Sequence, residues 1–333
     1  MSRLPDLVRD SQLDTQVRPE YTRHLYVETD PTSGQRAIEK KEYWKREKRI
    51  GSGGIGIVWL EKCFRGKRNA ELRAVKQFPR PAKTRDLVRE LEALAKFSHP
   101  KYVRCFVQSF GWYEDEDDLY IAMEYLPLGD LNNYLKAAGP VPELEVQQVV
   151  FQLLEGLSNI LICSLPPQNW WVKLADFGIS KRVEDCTTGP STKKGTAGFV
   201  PPEFHGFTPS GEDTASDPPF SADIWALGEI TFRMLTKSVT FQSSYDLFQF
   251  TEGRQTFPIA SLEEKRVSMP AIEFVRACMR PSAGDRLTAP EAMAYEWMSA
   301  FVARSPIPHS VVSFGYSIIA IAIYFFSLTF DQR

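Results

Sequence analysis

The sequence predicts an α+β protein in two lobes, a small antiparallel β lobe followed by a larger helix-rich one. Three observations carry that prediction. Between Tyr43 and Phe78, strand-like runs are separated by glycine-rich turns. Pro127-Leu128-Gly129 then interrupts the chain. Beyond it, apolar residues recur at helical spacing, most clearly at Val149, Val150, Leu153, Leu154 and Leu157.

Residues 1–42 are polar and punctuated by Asp30-Pro31-Thr32-Ser33-Gly34, so they read as an N-terminal extension with at most short local structure. Residues 47–59 read as two strands about a glycine turn, and 71–78 as a third. Leu87, Leu91 and Leu94 share a face at helical spacing and predict a helix over 84–97. Ser98-His99-Pro100 ends it, because the residue before a proline avoids the helical region. Strands are expected over 103–112 and 119–125, and helices over 130–138, 142–157, 222–235, 271–279 and 289–302. The expected organisation is an extension at 1–42, a domain at 43–302 (lobes 43–124 and 130–302), a linker at 303–310 and an apolar tail at 311–330.

The chain has 333 residues and a formal net charge of -2, a balance that argues against nucleic-acid binding, which leaves a basic footprint. Five scattered cysteines form no C-x-x-C pair, so reduced thiols are expected rather than a zinc knuckle or disulfide framework. Met1 to Asp10 has no apolar core and does not read as a secretory signal. Residues 311–330 carry no charge, and fifteen of these twenty are Val, Ile, Leu, Phe, Tyr or Ala. As a helix the run would cross the roughly 30 Å core of a bilayer, making it a candidate transmembrane anchor. A helix packed on the large lobe, or noncoding sequence translated in error, would account for it as well.

The chemistry sits in short motifs. Gly51-Ser52-Gly53-Gly54-Ile55-Gly56, followed by Val58, fits a loop whose backbone approaches phosphate oxygens without a Cβ in the way. Lys76, in Ala74-Val75-Lys76, lies on a predicted strand from which an ammonium reaches phosphates as a point charge. Glu90 falls on the following helix, where its carboxylate could hold that lysine. Asp176-Phe177-Gly178 follows the strand expected at 171–174, and a carboxylate there suits Mg²⁺ bridging phosphates. Taken alone, each has a bland explanation: a flexible hairpin, a solvated lysine, a charged helix face. Their order is what gives them weight.

In that order the chain resembles the eukaryotic Ser/Thr protein kinases over residues 43–302. Gly195-Thr196-Ala197-Gly198-Phe199, Pro201-Pro202-Glu203, Asp223-Ile224-Trp225 and Asp285-Arg286 extend the resemblance into the second lobe. It implies a two-lobed kinase-like fold in which ATP is held by Ile50, Gly51, Ser52, Gly53, Gly54, Ile55, Gly56, Val58, Ala74, Lys76, Glu90, Met123, Glu124 and Leu126. It assigns Mg²⁺ to Asn159 and Asp176, pairs Glu203 with Arg286, and sets Asp223 beneath the catalytic loop. The kinase-like domain would be cytoplasmic, tethered to a membrane if the tail is an anchor.

One departure is severe. The family carries H-R-D-L-K-P-x-N before D-F-G, and its aspartate serves the substrate hydroxyl. Here Leu157-Ser158 runs straight into Asn159-Ile160-Leu161, and residues 157–175 contain no Asp, Glu or His. No catalytic base is therefore assigned. Two functions remain open: ATP-dependent phosphorylation of Ser/Thr in proteins, if the loop is present in the true protein, or a catalytically inactive ATP-binding scaffold or allosteric regulator. The intact flanking motifs weigh towards the first. Two further departures, Ile55 at the loop tip and Pro201 for the usual alanine, are mild.

Overall fold

The structure is a computed structural model. It describes residues 6–30, 32, 34–53, 56–67, 70–79, 91, 92, 94, 95, 98, 99, 102–154, 159–166, 169–175, 181, 182, 198–207, 220–302, 316 and 317. The chain divides into two compact units, residues 1–126 with 330–333, and residues 127–329.

The first unit is built on one seven-stranded sheet, ordered β1-β2-β3-β4-β5-β7-β6. Its strands are β1 (Asp14–Val17), β2 (Thr22–Asp30), β3 (Gln35–Gly53), β4 (Gly56–Arg65), β5 (Leu72–Pro79), β6 (Ser109–Glu114) and β7 (Asp118–Glu124). Every neighbouring pair is antiparallel. Gly56 opens β4 because nothing larger fits: a Cβ there would stand 2.2 Å from the Gln77 carbonyl oxygen.

The expectation for residues 1–42 needs correction. Far from being nearly structureless, they supply a short helix α1 (Asp6–Asp10), β1, β2 and the first part of β3. The Leu13 N–H donates to the Trp112 carbonyl at 2.7 Å, and the Trp112 N–H donates to the Ser11 carbonyl at 3.1 Å. The Trp112 indole N–H also reaches the Val8 carbonyl at 2.7 Å. The segment entering β1, at one edge, thus bonds to β6 at the other. One parallel bridge, Gln12 with Trp112, ties the two edges of the sheet together.

Within this unit Val75, Tyr113, Tyr120 and Ala122 form a buried cluster, against which Leu13, Val17 and Phe110 pack. Beside it lies a polar chain that is also buried. Arg73 donates to one Glu61 oxygen from Nε at 3.0 Å and from Nη2 at 2.8 Å. Its Nη1 donates to His24 Nε2 at 2.7 Å. A guanidinium can only donate, so Nε2 accepts and the His24 proton sits on Nδ1, directed at Thr15 Oγ1 2.7 Å away. The Arg73 guanidinium lies 4.1 Å from the Trp44 ring centroid. Burial, and then the Arg73 charge, push the His24 pKa down to about 2, so the ring is neutral.

In the second unit, helix α2 (Leu131–Ala137) starts where predicted, its N-cap Asp130 accepting from the Asn133 N–H at 2.8 Å. Helix α3 (Glu143–Leu154) follows, then a hairpin of β8 (Asn159–Ser164) and β9 (Trp171–Ala175). Helices α4 (Ser221–Thr236), α5 (Ser244–Thr251), α6 (Ala260–Glu264), α7 (Met269–Cys278), α8 (Ala289–Ala294) and α9 (Glu296–Val302) complete it. Nearly all of α4 is buried, including Trp225 and Phe232, so it is the axis of this unit's core.

Smaller differences have local causes. The strand expected over 103–112 starts only at Ser109. Before it, a turn bonded from Cys105 and Phe106 back to the Tyr102 carbonyl buries Tyr102 and Phe106 at a helical spacing of four. The helix expected over 289–302 breaks at Tyr295, whose extended backbone caps α8. Of the helix expected over 84–97, residues 91, 92, 94 and 95 are described and helical. Of the apolar tail only Tyr316 and Ser317 are described, and there the chain is a strand paired with Arg182 and Lys181 rather than a helix. The rest of the candidate span lies outside the described residues. Among the described residues no helix is long and apolar enough to cross a membrane. The four described cysteines are free.

Candidate functional site

Within the first unit, strand register sets several of the predicted nucleotide residues in one row. Gly51 lies opposite Val58, Val58 opposite Lys76, and Lys76 opposite Ile121. One row along, Leu60 pairs with Ala74 and Ala74 with Met123. Alternate residues of a strand share a face, so Val58, Ala74, Lys76 and Met123 look the same way. A glycine-lined backbone, a small alanine and a lysine on one sheet face are the parts needed to cover a flat ring and meet a phosphate. Lys76 is 8% exposed, its ammonium 4.9 Å from the Phe78 ring centroid.

The remaining predicted residues divide as follows. Ser52 and Gly53 pair with Ile57 and Gly56 in the hairpin, and Ile50 is exposed beside them. Glu124 ends β7, its N–H donating to the Gln108 carbonyl at 2.9 Å and its carboxylate accepting from the Gln108 N–H at 3.3 Å. Leu126, two residues on, is partly buried. Gly54, Ile55, Glu90 and Asp176 lie outside the described residues.

The β8–β9 hairpin of the second unit carries a separate group of predicted residues. Its ladder ends with Asn159 opposite Ala175, so Asp176 is the next residue along the chain from Asn159's strand partner. Helix α3 grips this hairpin through one polar stripe, which the sequence reading missed. Gln152 donates to the Trp170 carbonyl at 2.8 Å and accepts from the Val172 N–H at 3.0 Å. Gln148 accepts from the Trp170 N–H at 3.1 Å, and Glu145 from the Trp170 indole at 2.7 Å. The signal was available as Glu145, Gln148 and Gln152, polar residues at helical spacing in a helix otherwise read for its apolar stripe.

A third group braces the Gly198-to-Glu203 segment. Gly198 has φ +98, and a Cβ there would lie 2.7 Å from both Arg233 Nη2 and Glu229 Oε1. Phe199 lies under the Arg233 guanidinium at 4.1 Å, and the Trp225 indole donates to the Gly198 carbonyl at 3.0 Å. Gly198→Ala combines backbone strain with a clash against a buried ion pair, and should cost about 1–3 kcal/mol, read as a lower urea midpoint. Glu203 and Arg286 pair as the resemblance implied, Nη1 to Oε1 at 2.8 Å and Nη2 to Oε2 at 2.7 Å.

Known proteins agree with this geometry. The protein kinase domain family matches residues 44–298. The chain is 29% identical over 223 residues to the serine/threonine-protein kinase cds1 of Schizosaccharomyces pombe, covering 63% of this chain and 47% of that protein. It is 29% identical over 237 residues to the serine/threonine-protein kinase RAD53 of Saccharomyces cerevisiae, covering 64% of this chain and 28% of that protein. It therefore spans less than half the length of either. A crystal structure of Rad53 1-466 with AMP-PNP shares the fold, with a TM-score of 0.58 and 22% identity over 84% of this chain and 82% of that one. The fold is the two-lobed one of protein kinases. The chain belongs to the eukaryotic Ser/Thr protein kinase family.

Proposed function

We propose that this chain is an ATP-binding member of the kinase family that works as a nucleotide-responsive scaffold and does not itself transfer phosphate. Nucleotide would lie on the face carrying Gly51, Val58, Ala74, Lys76 and Met123. Lys76 would neutralise phosphate charge, held by Glu90. Asn159 and Asp176 would hold Mg²⁺, which supplies charge neutralisation between the phosphates.

The observation that carries the reading is the grip of α3 on β9. In this family a loop bearing the base runs between that helix and the hairpin. Here residues 155–158 alone separate Leu154 from Asn159, yet Gln148 and Gln152 seat the hairpin directly on the helix. The bonds of Gln148 and Gln152 need no such segment, and no carboxylate or imidazole lies between residues 157 and 175 to serve a hydroxyl. A second reading, phosphoryl transfer to Ser/Thr by a form containing the loop, is favoured by the intact flanking motifs Asn159-Ile160-Leu161 and Asp176-Phe177-Gly178.

Purified full-length chain should melt higher in Mg-ATP than without it, by the roughly 2.7 kcal/mol expected at a hundredfold excess over Kd, and Lys76→Ala should abolish most of that gain. The same preparation should incorporate no radiolabelled phosphate into itself or a mixed Ser/Thr peptide pool. Incorporation that disappears in Asp176→Ala would overturn the scaffold reading. An unchanged melting curve in Mg-ATP would remove nucleotide binding as well.

A further inference from the structure

Tyr21, just before β2, forms with Tyr43 and Phe64 a ring cluster on the outer face of the sheet, in which Phe64 is exposed and the two tyrosines are half-buried. Tyr21 lies 5.7 Å from Tyr43 and 6.3 Å from Phe64, and Tyr43 lies 5.9 Å from Phe64, centroid to centroid. Phe64 is 56% exposed, and Leu72 on the next strand is 38% exposed. The ladder skips a residue here: Trp44 pairs with Cys63 but Tyr43 with Arg65, and this bulge turns both Phe64 and Arg65 outward. The Arg65 guanidinium lies over the Tyr43 ring at 5.4 Å. Solvent-facing sheet positions are ordinarily polar, whereas Tyr, Phe and Arg together are the composition of interface cores.

The charges around the rings point to what would cover them. Arg23 is the strand partner of Tyr43, Lys41 of Leu25, and Lys62 of Leu72. Lys45 and Lys62 stand directly opposite each other, a like-charge pair that destabilises a ladder when nothing offsets it. The carboxylate of Glu71 comes within 3.7 Å of Lys62, but Arg23, Lys41 and Lys45 make no ion pair among the described residues. Glu71 partly offsets Lys62, so the cations an anionic partner would chiefly meet are Arg23, Lys41 and Lys45.

We propose that this face docks an acidic peptide segment of a partner protein. One aromatic or aliphatic side chain seats against Tyr21, Tyr43, Phe64 and Leu72, and flanking carboxylates meet Arg23, Lys41, Lys45 and Lys62. The site depends on the fold of the first unit and not on the nucleotide reading.

The test uses full-length chain and a fluorescein-labelled peptide with a central phenylalanine between runs of aspartate, followed by anisotropy. Replacing the central phenylalanine by alanine should weaken binding about tenfold, the equivalent of roughly 1.4 kcal/mol. Phe64→Ser should do the same with an unchanged melting temperature. Lys45→Glu should move two readouts in opposite directions, weakening the peptide at least about fivefold while slightly raising stability, because it turns a like-charge pair into an attractive one. Equal binding of the phenylalanine and alanine peptides, with Phe64→Ser silent, would mean attraction by charge alone and would overturn the proposal. So would Phe64-dependent dimerisation without peptide binding, which would make the face a self-interface.

Discussion

Arg73→Ala is expected to cost the first unit about 3–5 kcal/mol, measured as the fall in its denaturant midpoint. The Glu61 carboxylate is 2% exposed, and Arg73 is its closest cation, so truncation leaves a buried charge with little compensation. The same change strips His24 Nε2 of its donor and leaves the Trp44 ring facing a void. Replacing Arg73 and Glu61 together by Met should recover most of the loss, because two apolar groups of similar volume leave no orphaned charge. If Arg73→Ala alone is neutral, the polar chain does not hold the sheet together.

The same chain gives the unit a pH dependence whose sign is fixed. The folded His24 pKa lies near 2, against 6.5 in the unfolded chain, so between those values the unfolded state binds the extra proton. Stability is therefore full above about pH 6.5 and falls with acidification, by up to about 1.4 kcal/mol per pH unit from this group.

The second large effect is expected in the other unit. Arg286→Ala removes the bidentate pair with Glu203 and the bonds to the carbonyls of Arg280 at 2.9 Å, Pro281 at 3.1 Å and Ser221 at 3.2 Å. Its guanidinium also stacks 5.0 Å from the Trp225 ring centroid. A loss of about 3–5 kcal/mol should appear as a strongly lowered melting temperature of the full chain. Arg286→Lys should rescue little, since an ammonium cannot reproduce a planar fork serving a carboxylate and several carbonyls. A Lys variant that melts like the parent would show that charge alone is what matters there.

These two arginines mark what could and could not be read from residues in order. Arg286 and Glu203 were legible because they sit in motifs whose partners the family resemblance supplies. The strands at β3 to β5 were legible from glycines and from apolar runs. Arg73 and His24 were not. The inward positions of β2 and the adjoining part of β3 are Thr22, His24, Glu42 and Trp44, so the alternation that betrays a half-buried strand is written in polar letters. Each becomes tolerable inside only through partners far along the chain, such as Arg73 for His24. Periodicity of hydrophobic residues carries no trace of such pairing, so the extension reads as having at most short local structure. The site divides the same way: the face bearing Lys76 follows from strand register, while the grip of Gln148 and Gln152 on β9 is long-range and polar.

The bridge between Gln12 and Trp112 also sets a schedule. The first strands leave the ribosome about a hundred residues before β6, which at 5–20 residues per second is roughly 5–20 seconds. Through that interval β1 has no far edge to join, and for about the first half of it His24 lacks Arg73, which follows it by 49 residues. Such distant pairing makes for slow folding. A chaperone that shields early hydrophobic and polar-lined strands should therefore raise the yield of this protein more than that of a version whose extension is supplied after β6.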